Sequence, residues 1–336
     1  MARYDFASDN AAPAAPEAMD ALVAANSGYA SGYGTDATTA RAADLVRGLL
    51  DADAEVRFVG SGTAANALSL AALCRPFEAV AAHEHAHICT DEAGAPGFFG
   101  QGLGLIALPG ASGRIDPAAL DRVLSEPEVS YRQPPAALSL TNATEYGVVY
   151  SAQALEGLVR AAKAKGLGVH LDGARLANAA AAGFDVKTIA RAGVDILVVG
   201  GTKAGMTATE AVVVFDRALA RRLDVRLKQA GQLPSKARFA AAPFIGMLED
   251  GAFLRHAAHA NAMARRLAGQ CPFPASHAAE TNGVFVEMDE PTLRRLHAAG
   301  WFAYRFLDGS VRFMCSWATT PEAVDALCAS LQSIKA

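Results

Sequence analysis

Charged residues make up 19% of this 336-residue chain and aromatic residues 7%, whereas hydrophobic side chains reach 52%. Low charge beside an ample apolar fraction excludes a disordered or tail-like protein. Long apolar runs are also missing. The nearest, Ala64 to Cys74, contains Asn66 and Ser69 and stops at Arg75, well short of the roughly 18 residues a membrane helix needs. There is no basic excess: the net charge is −4, which predicts no nucleic-acid partner. No apolar stretch follows the Met-Ala-Arg-Tyr-Asp-Phe start, so the sequence predicts no secretory signal. The five cysteines are scattered, without metal-type or redox-type spacing. That usage predicts a cytoplasmic protein without a metal site. No internal repeat, low-complexity linker or Walker A sequence is present.

What is there is alternation. Short apolar runs at Glu55–Val59, Ala79–Ala82, Ala136–Leu140, Gly168–Asp172, Asp195–Val199 and Glu210–Phe215 read as strands. Helical stretches lie between most of them, at Gly62–Leu73, Pro117–Leu124, Ser151–Lys165 and onward to Ala192. Strands spaced by such helices describe βαβ units and a largely parallel sheet. After about residue 245 the pattern changes to a long helix (Gly251–Ala268), strands at Gly283–Glu287 and Val311–Cys315, and helices from Pro291 and Thr320. The expected organisation is therefore α/β, with a large domain over 1–245 and a smaller C-terminal α+β domain over 246–336.

Gly60-Ser-Gly-Thr-Ala-Ala65 follows a strand and opens a helix, where free N–H groups and the positive helix end suit a phosphate. Taken alone it is equally a structural turn, and Gly32-Tyr-Gly-Thr-Asp-Ala37 has the same glycine spacing without a strand before it. Asp172 and Lys203 are more telling. Each lies at the C-terminal end of a parallel strand, with one crossover between them, and that edge is where open α/β sheets bind ligands. A buried lysine can lose its proton and attack a carbonyl, and an aspartate one crossover away can hold a pyridinium N–H. His83-Glu-His-Ala-His87 admits three readings: a metal site, a ring stacked on a cofactor, or polar loop histidines.

In order, Ser8-Asp9-Asn10, Gly32-Tyr33-Gly34-Thr35-Asp36, Ser61 to Asn66, Ala86-His87, Asp91 to Pro96, His170-Leu-Asp-Gly-Ala-Arg175 and Gly201-Thr202-Lys203 resemble the low-specificity L-threonine aldolases. These are fold-type I pyridoxal-phosphate enzymes, close to phenylserine aldolases and the wider β-eliminating lyases. The likeness runs from about residue 5 to the Val311-Arg312 strand. It implies that Lys203 forms the imine with pyridoxal phosphate, that Asp172 pairs with the ring nitrogen, and that His87 stacks on the ring. Ser61, Gly62 and Thr63 would hold the phosphate. Arg175 and Arg312 would clamp the substrate carboxylate, with Ser8 and Tyr33 nearby, and Ser235-Lys236-Ala237-Arg238 would approach the phosphate across a subunit interface. A homodimer or homotetramer follows from the same likeness.

The sequence also departs from the family. One branch carries a histidine after the Ser139-Leu140 strand that handles the substrate hydroxyl; here the segment is Asn142-Ala-Thr-Glu-Tyr-Gly147. Gly97 and Gln232 replace residues that are Glu and His in some relatives. His85, His87, Glu145 or a water remain as candidates for the hydroxyl base.

The implied reaction cleaves L-threonine, L-allo-threonine or a related β-hydroxy-α-amino acid such as phenylserine into glycine and an aldehyde. The rivals are β-elimination or other Cα chemistry on the same scaffold, a dinucleotide oxidoreductase, and a non-catalytic cofactor carrier. The oxidoreductase would leave Lys203 unexplained, and the carrier would leave Arg175 and Arg312 without a carboxylate.

Overall fold

Side-chain alternation along the central strands divides the interior into two layers. In the computed structural model, which describes residues 3–127 and 129–335, Leu197, Val199 and Val213 face one core, with Val46, Leu155 and Phe244. Their neighbours Ile196, Val198, Val212 and Val214 face another, with Leu68 and Leu223. Successive side chains on a strand point to opposite faces, so strands buried on both sides read as unbroken apolar runs. The outer termini of the two expected domains, residues 1, 2 and 336, lie outside the described range.

The strands in chain order are β1 (Glu55–Val59), β2 (Ala79–His83), β3 (Gly104–Leu108), β4 (Pro135–Thr141), β5 (Gly168–Gly173), β6 (Ile196–Gly200), β7 (Glu210–Val214), β8 (Gly283–Val286), β9 (Tyr304–Arg305) and β10 (Val311–Met314). Seven form one sheet in the order β1-β7-β6-β5-β4-β2-β3. The β3-β2-β4-β5-β6 pairings are parallel, while β7 is antiparallel to both β6 and β1. Only β7 is therefore reversed, and the mostly parallel sheet expected from the sequence is present. The reversal has a simple cause: residues 201–209 are too few for the crossover that a parallel neighbour requires.

Two features go beyond the sequence reading. Strand β3, on the sheet edge, was not anticipated; neither were the helices Pro16–Ala25, Ala37–Leu50, Arg217–Gln229 and Arg238–Glu249. The helical stretch running to Ala192 divides into Leu176–Ala181 and Thr188–Ala192.

Strands β8, β10 and β9 form a separate antiparallel sheet. Its core holds Leu267, Val284, Leu296, Trp301, Phe313 and Leu327, and also Phe6 from the start of the chain. Residues 3–6 are tied to this layer by backbone hydrogen bonds, from the Met314 N–H to the Phe6 carbonyl at 2.9 Å and from the Phe302 N–H to the Arg3 carbonyl at 2.9 Å. That attachment carries the next residues, Ser8 to Asn10, towards the C-terminal edge of the large sheet.

Candidate active site

All the functional strand ends face one way. Ser61 follows β1, His87 follows β2, Glu145 follows β4, Asp172 is the penultimate residue of β5 and Lys203 follows β6. A cavity of about 290 Å³ opens there, lined by Ser61, Gly62, Thr63, Asn66, His87, Glu145, Asp172, Arg175, Lys203 and Glu210 among others. It is the position that open α/β sheets use for ligands.

Asp172 is 4% exposed, so its charge must be held by neighbours. Its Oδ1 accepts the Ala174 N–H and its Oδ2 accepts the Asn66 amide, both at 2.8 Å. Burial alone would raise this carboxyl. The charge of Lys203, then that of His170 and the two hydrogen bonds, bring it below its ordinary value. An ionised carboxylate therefore faces the cavity. The same Asn66 Nδ2 donates to Glu92 Oε1 at 2.8 Å, and Glu92 Oε1 accepts from His87 Nδ1 at 2.8 Å. The hydrogen bond to Glu92 raises the His87 ring above its usual value despite burial.

Lys203 sits in a short 3₁₀ turn (Thr202–Ala204) bounded by glycines. The reason for two of them is steric. A Cβ on Gly200 would lie 2.4 Å from the Ala174 carbonyl oxygen, and one on Gly201 would lie 2.4 Å from that of Thr209. Burial lowers the Lys203 amine and the nearby Arg175 charge adds to this, opposed by Asp9, Asp172 and Glu210. Glu210 Oε2 accepts the Gly201 N–H at 2.7 Å and so fixes the turn from below. An amine whose proton is held less tightly than usual, beside an ionised carboxylate, is suited to condense with an aldehyde.

Ser61 caps the helix Gly62–Leu73, its Oγ accepting the Ala64 N–H at 3.2 Å. Gly62 and Thr63 line the cavity, and the first-turn N–H groups of a helix lack partners within it.

The residues expected to meet the substrate are distributed less uniformly. Arg175 lines the cavity, but Asp9 already takes its Nε at 2.7 Å and its Nη2 at 2.9 Å. Asn282 donates to the same aspartate at 3.1 Å. Burial would raise Asp9, yet Arg175, Lys203 and these hydrogen bonds bring it to about 2. Arg312 lies on β10, outside the cavity lining, with its guanidinium carbon 4.9 Å from the Phe306 ring centroid. Its Nε is buried and has no partner among the described residues. Ser8 caps the 3₁₀ turn Asp9–Ala11, and Asn10 rather than Ser8 reaches the cavity. His85 does not line it either: its Nδ1 is 2.6 Å from the Tyr146 hydroxyl. Tyr33 is 53% exposed and lies outside the cavity lining, its backbone N–H donating to the Ser235 carbonyl at 3.0 Å. The Gly32–Gly34 and Ser235–Arg238 segments are thus brought together.

Sequence reasoning gave no role to Asp9, Asn66, Glu92 or Glu210. Asp9, Asn66 and Glu92 fall inside the motifs that carry the family resemblance, but nothing local marks the long-range partners of Asp9 and Asn66. Glu92 lies five residues from His87, a spacing that offered some signal.

A family profile described as Beta-eliminating lyase matches residues 5–291. A protein from a Pseudomonas species named low specificity L-threonine aldolase is 43% identical, covering 98% of this chain and 97% of the relative. A second of the same name, from Pseudomonas aeruginosa, is 45% identical with the same coverage. The solved structure of Leishmania major threonine aldolase superposes with a TM-score of 0.92 at 29% identity, covering 99% of this chain and 100% of that one. The expected fold-type I architecture is the one found. On the profile and these relatives, the chain belongs to the beta-eliminating lyase family.

Proposed function

We propose that this chain is a pyridoxal-phosphate-dependent aldolase that splits L-threonine, L-allo-threonine or a related β-hydroxy-α-amino acid into glycine and an aldehyde. The carrying observation is the pairing of Lys203 with an ionised, buried Asp172 in one cavity of a chain with this family membership. The donor set fits the cofactor: a carboxylate for the ring N–H, an amine for the aldehyde, and the hydroxyls and first-turn N–H groups of Ser61–Thr63 for the phosphate. When bound, pyridoxal phosphate supplies a sink for the electron pair left on Cα.

The chain's own groups do the rest. Lys203 would hold the cofactor through its amine. Asp172 would hold the ring N–H, and His87, kept in position by Glu92, would pack against the ring. Arg175, with its remaining amino group, and Arg312 would orient the substrate carboxylate, which sets how the substrate lies in the cavity. The residues divide near 245 into a cofactor-holding domain and a smaller domain that brings Arg312. The adjoining Gly32–Gly34 and Ser235–Arg238 segments suit completion of a neighbour's site in a dimer or tetramer. No described helix is long and apolar enough to cross a membrane, in keeping with a cytoplasmic enzyme that acts on a small amino acid.

The direct test is an absorbance spectrum. The purified protein with pyridoxal phosphate should show a visible band that glycine perturbs; no band, or one indifferent to glycine, would remove the proposal. Light scattering should show a dimer or larger, and a fully active monomer would contradict the shared site.

Arg312→Lys tests the clamp. Lysine keeps the charge and loses the two-pronged geometry, so about 1.5–3 kcal/mol should be lost, roughly a 10- to 150-fold drop in kcat/KM. The substrate-free visible band should not change. Wild-type kinetics, or loss of the cofactor instead, would show that Arg312 has another task.

A further inference from the structure

One buried carboxyl at the cavity keeps an oxygen without a partner. Glu145 follows β4 in the Asn142–Gly147 segment that lacks a histidine, and it lines the cavity with His87 and Asp172. Its Oε1 accepts the His87 N–H at 3.1 Å and the Thr141 hydroxyl at 3.0 Å. Its Oε2 is buried with no partner among the described residues. The competing bases are engaged otherwise. His87 Nδ1 is bonded to Glu92, which favours the protonated ring, and His85 Nδ1 faces the Tyr146 hydroxyl away from the cavity lining.

We propose that Glu145, through Oε2, is the base that removes the β-hydroxyl proton of the substrate; this rests on the carbon–carbon cleavage proposed above. The hydroxyl proton passes to Oε2, and the O–H pair becomes the second bond of the aldehyde C=O. The Cα–Cβ bond breaks with its pair left on Cα, and the proton count closes when Cα takes up one proton to give glycine. Two bonds to Oε1 fix the carboxyl plane, leaving Oε2 as the free acceptor. Burial, the largest influence, pushes this carboxyl up to about 7, and Asp172 adds to it. A base so tuned is half ionised near neutral pH, where general-base catalysis is most efficient. The titratable groups around it are His87, Cys89, Tyr146, Tyr150, Asp172 and Arg175.

Glu145→Gln in the holoenzyme is the test, because glutamine keeps the size and an oxygen for the Thr141 and His87 bonds but cannot take a proton. The kcat for threonine cleavage should fall about 10²- to 10⁴-fold, the usual worth of a positioned base. Exchange of the glycine Cα proton in heavy water, followed by NMR, needs no hydroxyl base and should stay close to wild type, as should the visible band. The rise of wild-type kcat/KM with pH through about 7 should vanish in the variant. Cleavage and exchange falling together would assign Glu145 a structural role, and unchanged cleavage would put the base elsewhere. If wild type shows the glycine-sensitive band yet releases no glycine from threonine, the cleavage reading fails, and the Glu145 assignment with it.

Discussion

Lys203→Ala should yield a folded protein with neither the visible absorbance of bound pyridoxal phosphate nor measurable turnover. Its surroundings suit it to the task. It lies past β6 in a turn whose flanking glycines cannot carry a side chain without meeting backbone oxygens. Its amine is lowered by burial and by Arg175, which raises the share of the neutral, nucleophilic form. Alanine removes the attacking nitrogen and no packing of the sheet core, since Lys203 belongs to no core cluster and lines the cavity. Far-ultraviolet circular dichroism should match wild type. A variant that kept the visible band and still cleaved threonine would show that another amine holds the cofactor.

Asp9→Ala should cost about 3–5 kcal/mol of folding stability, the range for breaking a buried ion pair by removing one partner. The Asp9 side chain is 0% exposed and that of Arg175 10%, so alanine would leave a guanidinium nearly out of water with two donors unpaired. Denaturant midpoints should report the loss with an unchanged slope. The Asp9→Ala/Arg175→Met double variant should regain most of it, because the uncompensated charge is gone. The pair also predicts a pH dependence. Asp9 is lowered from 3.8 to about 2, so its stabilisation is complete above the unfolded value near 3.8 and disappears as pH falls towards 2. The full difference is worth roughly 2 kcal/mol. A single variant within about 1 kcal/mol of wild type would show that Arg175 does not depend on Asp9.

Asp9 also marks where the sequence stops being informative. Lys203, Asp172 and Ser61–Thr63 were legible because each lies at the end of a recognisable apolar strand, and strand ends in a parallel sheet share one edge. The Asp9–Arg175 pair spans 166 residues and depends on residues 3–6 joining the small sheet, which no local pattern announces. Strand β3, Gly104–Leu108, is a short apolar run that follows directly on the Gly100–Gly102 turn, and its alternating burial at the sheet edge shows only in the structure. The direction of β7 could be read only from the short 201–209 connection, since Glu210–Val214 has the same apolar character whichever way it runs. His85, a candidate hydroxyl base in the sequence, lies outside the cavity lining. Strand β2 ends at His83 and the helix His87–Thr90 begins four residues later, so the three histidines do not share one regular element. Glu145 was visible as a candidate base, but its free oxygen becomes apparent only with the His87 and Thr141 contacts.

The most direct test of carbon–carbon cleavage is the product balance from L-threonine with the purified, pyridoxal-phosphate-loaded protein. Cleavage between Cα and Cβ predicts glycine and acetaldehyde in equal amounts, with no ammonia. Ammonia with 2-oxobutyrate, and no glycine, would instead identify an eliminating enzyme and contradict the aldolase reading.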